Sequence, residues 1–282
     1  MKLARVGSKG REIPVIIGPD NVARSLVGVI GDISGDALSP GGLEELRQLN
    51  IEALPEVSEP YRYGPCVGAT SQVICVGLNY TDHAKEAGME IPSEPILFMK
   101  SPSAISGPND PIVIPRNAHK VDWEVELAIV IGHRCSYVEE HEARSYIAGY
   151  CVMNDLSERA FQLEGTGQWV KGKSADTFGP IGPWLVTKEE VPNVQDLNLW
   201  LKVNDEILQN SNTGQMVFGV DYLVSYISQF MTLQAGDIIS TGTPFGVGFG
   251  LSPQRYLKDG DRIDLGIDGL GVQTQKAVSW TA

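Results

Sequence analysis

The chain has 282 residues, a formal net charge of −13 and a hydrophobic content of 42%. That length suits one large domain, or one with a small appendage, and allows a sizeable core. The acidic balance argues against nucleic acid and against an anionic membrane surface as partners. A small anionic substrate stays open, because a local cation can override net charge. No apolar run approaches the ~20 residues of a membrane-spanning helix. The stretch Met1–Gly7 turns polar and Gly-rich too early for a signal peptide, so a cytosolic protein is expected. Cys66, Cys75, Cys135 and Cys151 lack Cys-x-x-Cys spacing. They read as buried apolar side chains, neither zinc ligands nor a disulfide framework.

Residues 1–67 form a small N-terminal unit in this reading, a packing or assembly module, followed by a main unit over 68–282. Lys2–Val6 and Pro14–Ile17 are short strands across a Gly-containing turn, and Val22–Val29 adds further strand. Leu43, Leu46 and Leu49 recur every three residues, which predicts a short helix. Pro55, Pro60 and Pro65 mark a linker.

Val73–Val76 is a buried-strand candidate leading into Asn79-Tyr80-Thr81-Asp82-His83-Ala84-Lys85-Glu86-Ala87-Gly88. Asn79, Thr81 and Asp82 are N-cap residues and Gly88 is a stop, so His83 and Glu86 fall on one face of a short helix. A carboxylate beside an imidazole orients it and raises its basicity, which makes a usable general base. An exposed surface pair is the simpler account of those two residues alone. Residues 89–95 form a Pro-bounded loop placed where a lid would lie. Pro95–Lys100 is strand-like and ends in Lys100.

Trp123–Ile131 reads as a strand, dense in β-branched residues. Side chains two apart share a face, so Glu124 and Glu126 stand together ahead of Ala128 and Val130 on one side. Two wet carboxylates on a strand leaving solvent explain this stretch most simply. If the face is buried, one carboxylate takes a proton or a hard cation sits between them. Glu139–Ala148 reads as a helix. Gly149–Arg159 is a strand ending in a polar turn with Asp155 at its end, and Arg159 and Gln162 share a side if a helix starts there. Lys171 and Lys173 sit in a Gly-containing turn. Leu197–Val203 opens a hairpin, Phe218–Met231 has helical spacing, and Ala235–Gly248 is a strand into a Gly-rich turn able to bring backbone N–H groups near an anion.

The order of these pieces resembles the fumarylacetoacetate hydrolase family. The matching segments are Gly77-Leu78-Asn79-Tyr80 with His83 and Glu86, Phe98–Pro102, Asp122–Ala128, Asn154–Arg159, Lys171–Pro180 and Gly236–Pro244. The resemblance implies a mostly β fold with flanking helices, a mixed sheet rolled or closed into a barrel, beside a small N-terminal α+β unit, assembled as a homodimer or higher homo-oligomer. It implies Mg²⁺, or Mn²⁺, held by Glu124, Glu126 and Asp155. His83 with Glu86 would activate water, and Lys173 would stabilise an oxyanion. Tyr80, Lys100, Arg159, Gln162 and Thr243 match substrate-binding positions. The implied reaction is hydrolysis of the C3–C4 bond of a 2,4-dioxo acid. Within the family the chain is most similar to hydrolases of 2,4-dioxo-3-deoxy-rhamnonate or fuconate, which yield pyruvate and lactate. The rivals are an oxaloacetate-type decarboxylase, an isomerase of unsaturated 2-oxo diacids, and a non-catalytic metal- or sugar-acid-binding assembly protein.

Overall fold

The structure is a computed structural model that describes residues 1–82 and 91–281. It is mostly β. A ten-stranded sheet runs in the order Ala23–Ser25, Ile13–Ile17, Lys2–Val6, Gly179–Thr187, Ile147–Asn154, Val125–Ile131, Ile238–Ser240, Val73–Gly77 and Ile96–Lys100, with Ile105–Ser106 attached to Gly179–Thr187. Pairing is mixed: Ile238–Ser240 runs parallel to Val73–Gly77 and antiparallel to Val125–Ile131. A second sheet has five strands, Glu206–Asn212, Asn198–Val203, Arg262–Ile267, Gly271–Ser279 and Ile112–Ile114. Both sheets end in edge strands, so among the described residues the roll stays open and no barrel closes.

Strands from the segment 1–67 continue the large sheet. Lys2 and Leu3 pair with Val186 and Leu185 in the strand Gly179–Thr187. The expected helix is present as Pro40–Arg47, capped by the Ser39 hydroxyl, which accepts from the Gly42 N–H, and it buries Leu43 and Leu46.

The strand Val125–Ile131 is buried at all seven positions and divides two cores. Trp123, Val125, Leu127, Ile129 and Ile131 join the larger core, which lies between the two sheets with Leu199, Leu201 and Leu265. Ala128 and Val130 join a second core with Leu3, Leu26, Leu43 and Leu46. The two-residue alternation of a strand produces that division. Each fully buried Leu, Ile or Val contributes roughly 1.5–3 kcal/mol, so the strand is stabilised from both sides.

Three local expectations change. The stretch Glu139–Ala148 is a 3-10 segment, Glu140–Tyr146, and Ile147 and Ala148 already belong to the strand Ile147–Asn154. Pairing of Ile147 with Ile131 draws the chain into the sheet, where tertiary contact overrides local propensity. Only Ala23–Ser25 of the stretch Val22–Val29 is a strand. Lys171 and Lys173 lie on a short helix, Trp169–Lys173, packed against another, Arg159–Leu163. Gly172 permits that packing: a Cβ there would meet the Glu158 carbonyl oxygen and Gln162 Cβ at 2.5 Å. All four cysteines are buried and free.

Candidate active site

Three carboxylates converge where the central strands end. Asn154 pairs with Val125 and Met153 with Glu126, and the Asp155 N–H donates to the Glu124 carbonyl at 2.9 Å. This register brings Asp155 beside the strand carrying Glu124 and Glu126. One oxygen from each of the three lies within 4.8 Å of the others, and all three side chains are buried.

Cations stand among these anions. Lys173 Nζ donates to Glu124 Oε2 at 2.6 Å and to Asp155 Oδ2 at 2.8 Å. Arg159 Nη2 donates to Glu124 Oε1 at 2.5 Å, and its Nη1 to Gln162 Oε1 at 3.0 Å. Burial disfavours a charged Lys173, but Asp155 and Glu124 outweigh it and raise its pKa above the usual lysine value, so it stays an ammonium. Burial would also raise Glu124; Lys173 and Arg159 overcome that and bring its pKa down to about 2. Glu126 goes the other way. Burial, then the charges of Asp155 and Glu124, push its carboxyl well above the ordinary range.

Converging oxygen donors, one of them a carboxyl whose pKa burial and then its anionic neighbours raise, form a set that a hard divalent cation would neutralise. The residues present therefore fit a divalent metal ion.

A cavity of about 220 Å³ opens above this cluster. Among the described residues its polar lining is Glu124, Glu126, Arg159, Gln162, Lys173 and Thr243. The remainder is apolar, chiefly Val76, Leu78, Phe98, Leu163, Trp169 and Phe249. Thr243 donates its hydroxyl to the Val125 carbonyl at 3.0 Å and accepts from Gln209 Nε2 at 2.9 Å.

Two residues expected at the substrate stand off the cavity wall. Lys100 is buried beneath it, with Nζ donating to Asp155 Oδ1 at 2.5 Å and to the Leu156 carbonyl at 2.9 Å. Its charge is used on Asp155, which makes it a support for that carboxylate. Tyr80 is fully buried, and its hydroxyl has no partner among the described residues. His83 and Glu86 lie outside the described residues.

The Gly-rich turn does meet an acidic side chain, and that side chain belongs to the protein. The Gly242 N–H and the Ser240 hydroxyl donate to Glu126 Oε2 at 2.9 and 2.5 Å. Gly242 has φ +99°, and a Cβ there would come within 2.8 Å of Asn79 Cβ, so no other residue fits without displacing the turn.

Sequence reading missed four residues that hold this cluster. Asp122 Oδ1 accepts from the N–H groups of Trp123 and Gly248, and Oδ2 accepts from Phe249 N–H and Arg159 Nε. Asn154 Oδ1 accepts from Glu124 N–H at 3.0 Å, and Gln209 Oε1 from Val125 N–H at 3.0 Å. Ser240 is the fourth. Asp122, Asn154 and Ser240 each lie within a segment that carries the family resemblance, beside the residues singled out there; Gln209 gives no local sign.

The family pattern for the fumarylacetoacetate (FAA) hydrolase C-terminal region matches residues 72–278. The chain belongs to the fumarylacetoacetate hydrolase family. It is 54% identical over 276 residues, 98% of each chain, to a provisionally named hydrolase of Burkholderia multivorans. Among solved structures it is similar to fumarylacetoacetate hydrolase from Exiguobacterium antarcticum (TM-score 0.87, 32% identity, 99% of this chain and 100% of that one). Maleylpyruvate hydrolase from Sphingobium sp. SYK-6 superposes with a TM-score of 0.82 at 30% identity, over 99% and 100% of the two chains. A 2-hydroxyhepta-2,4-diene-1,7-dioate isomerase from Mycobacterium marinum gives 0.76 at 34% identity, over 100% of both. Hydrolases and isomerases thus share this fold.

Proposed function

We propose that this chain hydrolyses the C3–C4 bond of a 2,4-dioxo acid, releasing pyruvate and a second carboxylic acid. The observation that supports the reading is the convergence of Glu124, Glu126 and Asp155 with Lys173 and Arg159 at the floor of one cavity. Mg²⁺ or Mn²⁺ bound by the three carboxylates would supply Lewis-acid polarisation of a 2-oxo acid.

The protein's own groups divide the remaining work. Arg159, oriented by Asp122 and Gln162, receives the substrate's carboxylate end, with Thr243 lining the same cavity. His83, with Glu86 as its partner in the reading from sequence, would take the proton from the water that adds to C4. Lys173, held protonated by its two carboxylates, donates a hydrogen bond to the oxyanion formed there, where charge develops in the transition state. Lys100 and Ser240 keep Asp155 and Glu126 in place.

Pyruvate release from metal-stripped protein tests this reading, with acetylpyruvate, 2,4-dioxo-3-deoxy-rhamnonate and oxaloacetate offered with and without Mg²⁺ or Mn²⁺. Metal-dependent pyruvate from a 2,4-dioxo acid supports hydrolysis. For the sugar acid expected from the resemblance, lactate should appear in equal amount. Pyruvate from oxaloacetate alone would instead make the enzyme a decarboxylase and remove His83 from the role of base.

A further inference from the structure

Two glutamines stand where a core strand would ordinarily place carbon. Exposed and buried positions alternate from Val272 to Ala277 in the strand Gly271–Ser279, and the inward side chains are Gln273, Gln275 and Ala277. Both glutamines are fully buried. A buried amide is costly unless its hydrogen bonds are made, and a buried polar network that is fully satisfied fixes one arrangement of its surroundings.

The partners of these amides form one directed chain. Gln273 Nε2 donates to the carbonyls of Val152 at 2.8 Å, Gly182 at 3.1 Å and Pro180 at 3.4 Å. Val152 and Gly182 pair across neighbouring strands of the large sheet, beside a shift in register. Gln275 Nε2 donates to Gln273 Oε1 at 2.6 Å and to the Pro108 carbonyl at 3.0 Å. Gln275 Oε1 accepts from Asn154 Nδ2 at 2.9 Å, and Asn154 Oδ1 accepts from the Glu124 N–H at 3.0 Å. A backbone carbonyl can only accept. The four carbonyls at the outer end therefore fix which side of each glutamine amide is nitrogen, and that orientation passes inward to Asn154. Turned over, Asn154 would set its NH₂ group against the Glu124 N–H and its oxygen against Gln275 Oε1.

Glu124 depends on that orientation. The regular strand begins one residue later, at Val125, so the Asn154 side chain stands in for a ladder partner at the Glu124 N–H. The Glu124 carbonyl accepts from the Asp155 N–H at 2.9 Å. One error at Asn154 would thus displace two of the three carboxylates together.

We propose that Gln275, itself oriented by Gln273, is a positioning residue for the carboxylate cluster, acting through Asn154 to hold Glu124 beside Asp155. This rests on the reading of Glu124, Glu126 and Asp155 as the holders of a divalent cation. Removing a partner that orients metal-holding groups typically weakens metal affinity by roughly 10- to 100-fold. Amides that only filled space would change stability and leave that affinity alone.

The test is a Mn²⁺ titration without substrate, followed by the electron paramagnetic resonance signal of free Mn²⁺. Gln275→Met keeps much of the volume and removes both hydrogen-bonding groups, and it should weaken Mn²⁺ binding by about tenfold or more. Gln273→Met breaks the chain one link further out and should act in the same direction, which keeps the test open should Gln275→Met fail to fold. Leu46→Ala, in the smaller core, lowers the melting midpoint through a cavity instead and should leave Mn²⁺ affinity unchanged. If the glutamine variants melt earlier, as Leu46→Ala does, yet bind Mn²⁺ as the parent does, the proposal is overturned and the amides are packing alone. A parent that binds no Mn²⁺ overturns it together with the metal reading. Acetylpyruvate turnover on the same preparations reads the hydrolase assignment separately. Weakened Mn²⁺ binding in the variants, with no turnover in the parent, would support the positioning role and remove only the hydrolase.

Discussion

Replacing Asp122 should damage the protein more than replacing any of the residues that line its cavity. The side chain is fully buried, and it accepts from three backbone N–H groups, those of Trp123, Gly248 and Phe249, as well as from Arg159. Asp122→Ala leaves all of these donors without their acceptor. Breaking a buried ion pair from one side costs about 3–5 kcal/mol, and each stranded buried donor adds ~1–3 kcal/mol. Arg159 keeps Glu124, and water can enter the vacated space, so the lower figure of about 3–5 kcal/mol is the working value. At ~2–4 °C per kcal/mol the melting midpoint falls by roughly 6–20 °C. Asp122→Asn keeps one acceptor oxygen and the shape, and should lose only about 1–3 kcal/mol. Scanning calorimetry in metal-free buffer measures both, since bound metal would add its own linked stabilisation. The assignment of Asp122 as organiser of this corner fails if the alanine variant melts within about 2 °C of the parent, less than a single kcal/mol would produce.

Other consequences can be measured in parallel. Because the Glu126 carboxyl is held well above its ordinary range by burial and then by Asp155 and Glu124, a divalent cation binding there should expel a proton, and affinity for Mn²⁺ should rise with pH. Titrations in two buffers of different ionisation heat would show the released proton, and identical heats would contradict it. Arg62 bridges Glu12, at 2.7 Å, and Asp110, at 2.6 Å, tying the N-terminal strands to the main body. Burial would raise both carboxyls, but Arg62 prevails and lowers them. The bridge therefore adds stability above the ordinary carboxylate range and loses it as pH falls through the lowered values. Arg62→Met should lower the melting midpoint at pH 7 and leave a smaller further drop toward acid; an unchanged pH profile would speak against it. His83→Ala should abolish pyruvate release while Mn²⁺ affinity is retained, and full activity in that variant would end its role as base. The four cysteines, all buried, should react with a thiol reagent only on unfolding, and rapid labelling of the native protein would contradict that.

The carboxylate cluster was legible as far as strand periodicity reaches. Glu124 and Glu126 share a face because strand side chains alternate, and the apolar residues after them show which face is covered. Asp155 was legible only as the end of a strand; its place beside the pair depends on the Asn154–Val125 register, which no local pattern specifies. Gln209 lies 84 positions from the Val125 N–H it accepts from, and Ser240 lies 114 from Glu126. Contacts at such separation leave no trace in spacing. Gly172 misled for a related reason. A glycine near lysines reads as a turn, yet here it serves the close packing of two short helices.

The placement of the carboxylate strand between two cores also decides which motions the molecule can make. A fluctuation that parted Glu126 from Asp155 would have to open the larger core and the smaller one together. Amide hydrogens along Val125–Ile131 should therefore exchange only through global unfolding. Leu163 and Phe249 sit half-exposed at the mouth, and replacing them disturbs neither core. Selection can change the mouth repeatedly while the floor stays as it is. A lineage built this way is free to change what the mouth admits without disturbing the carboxylates beneath it.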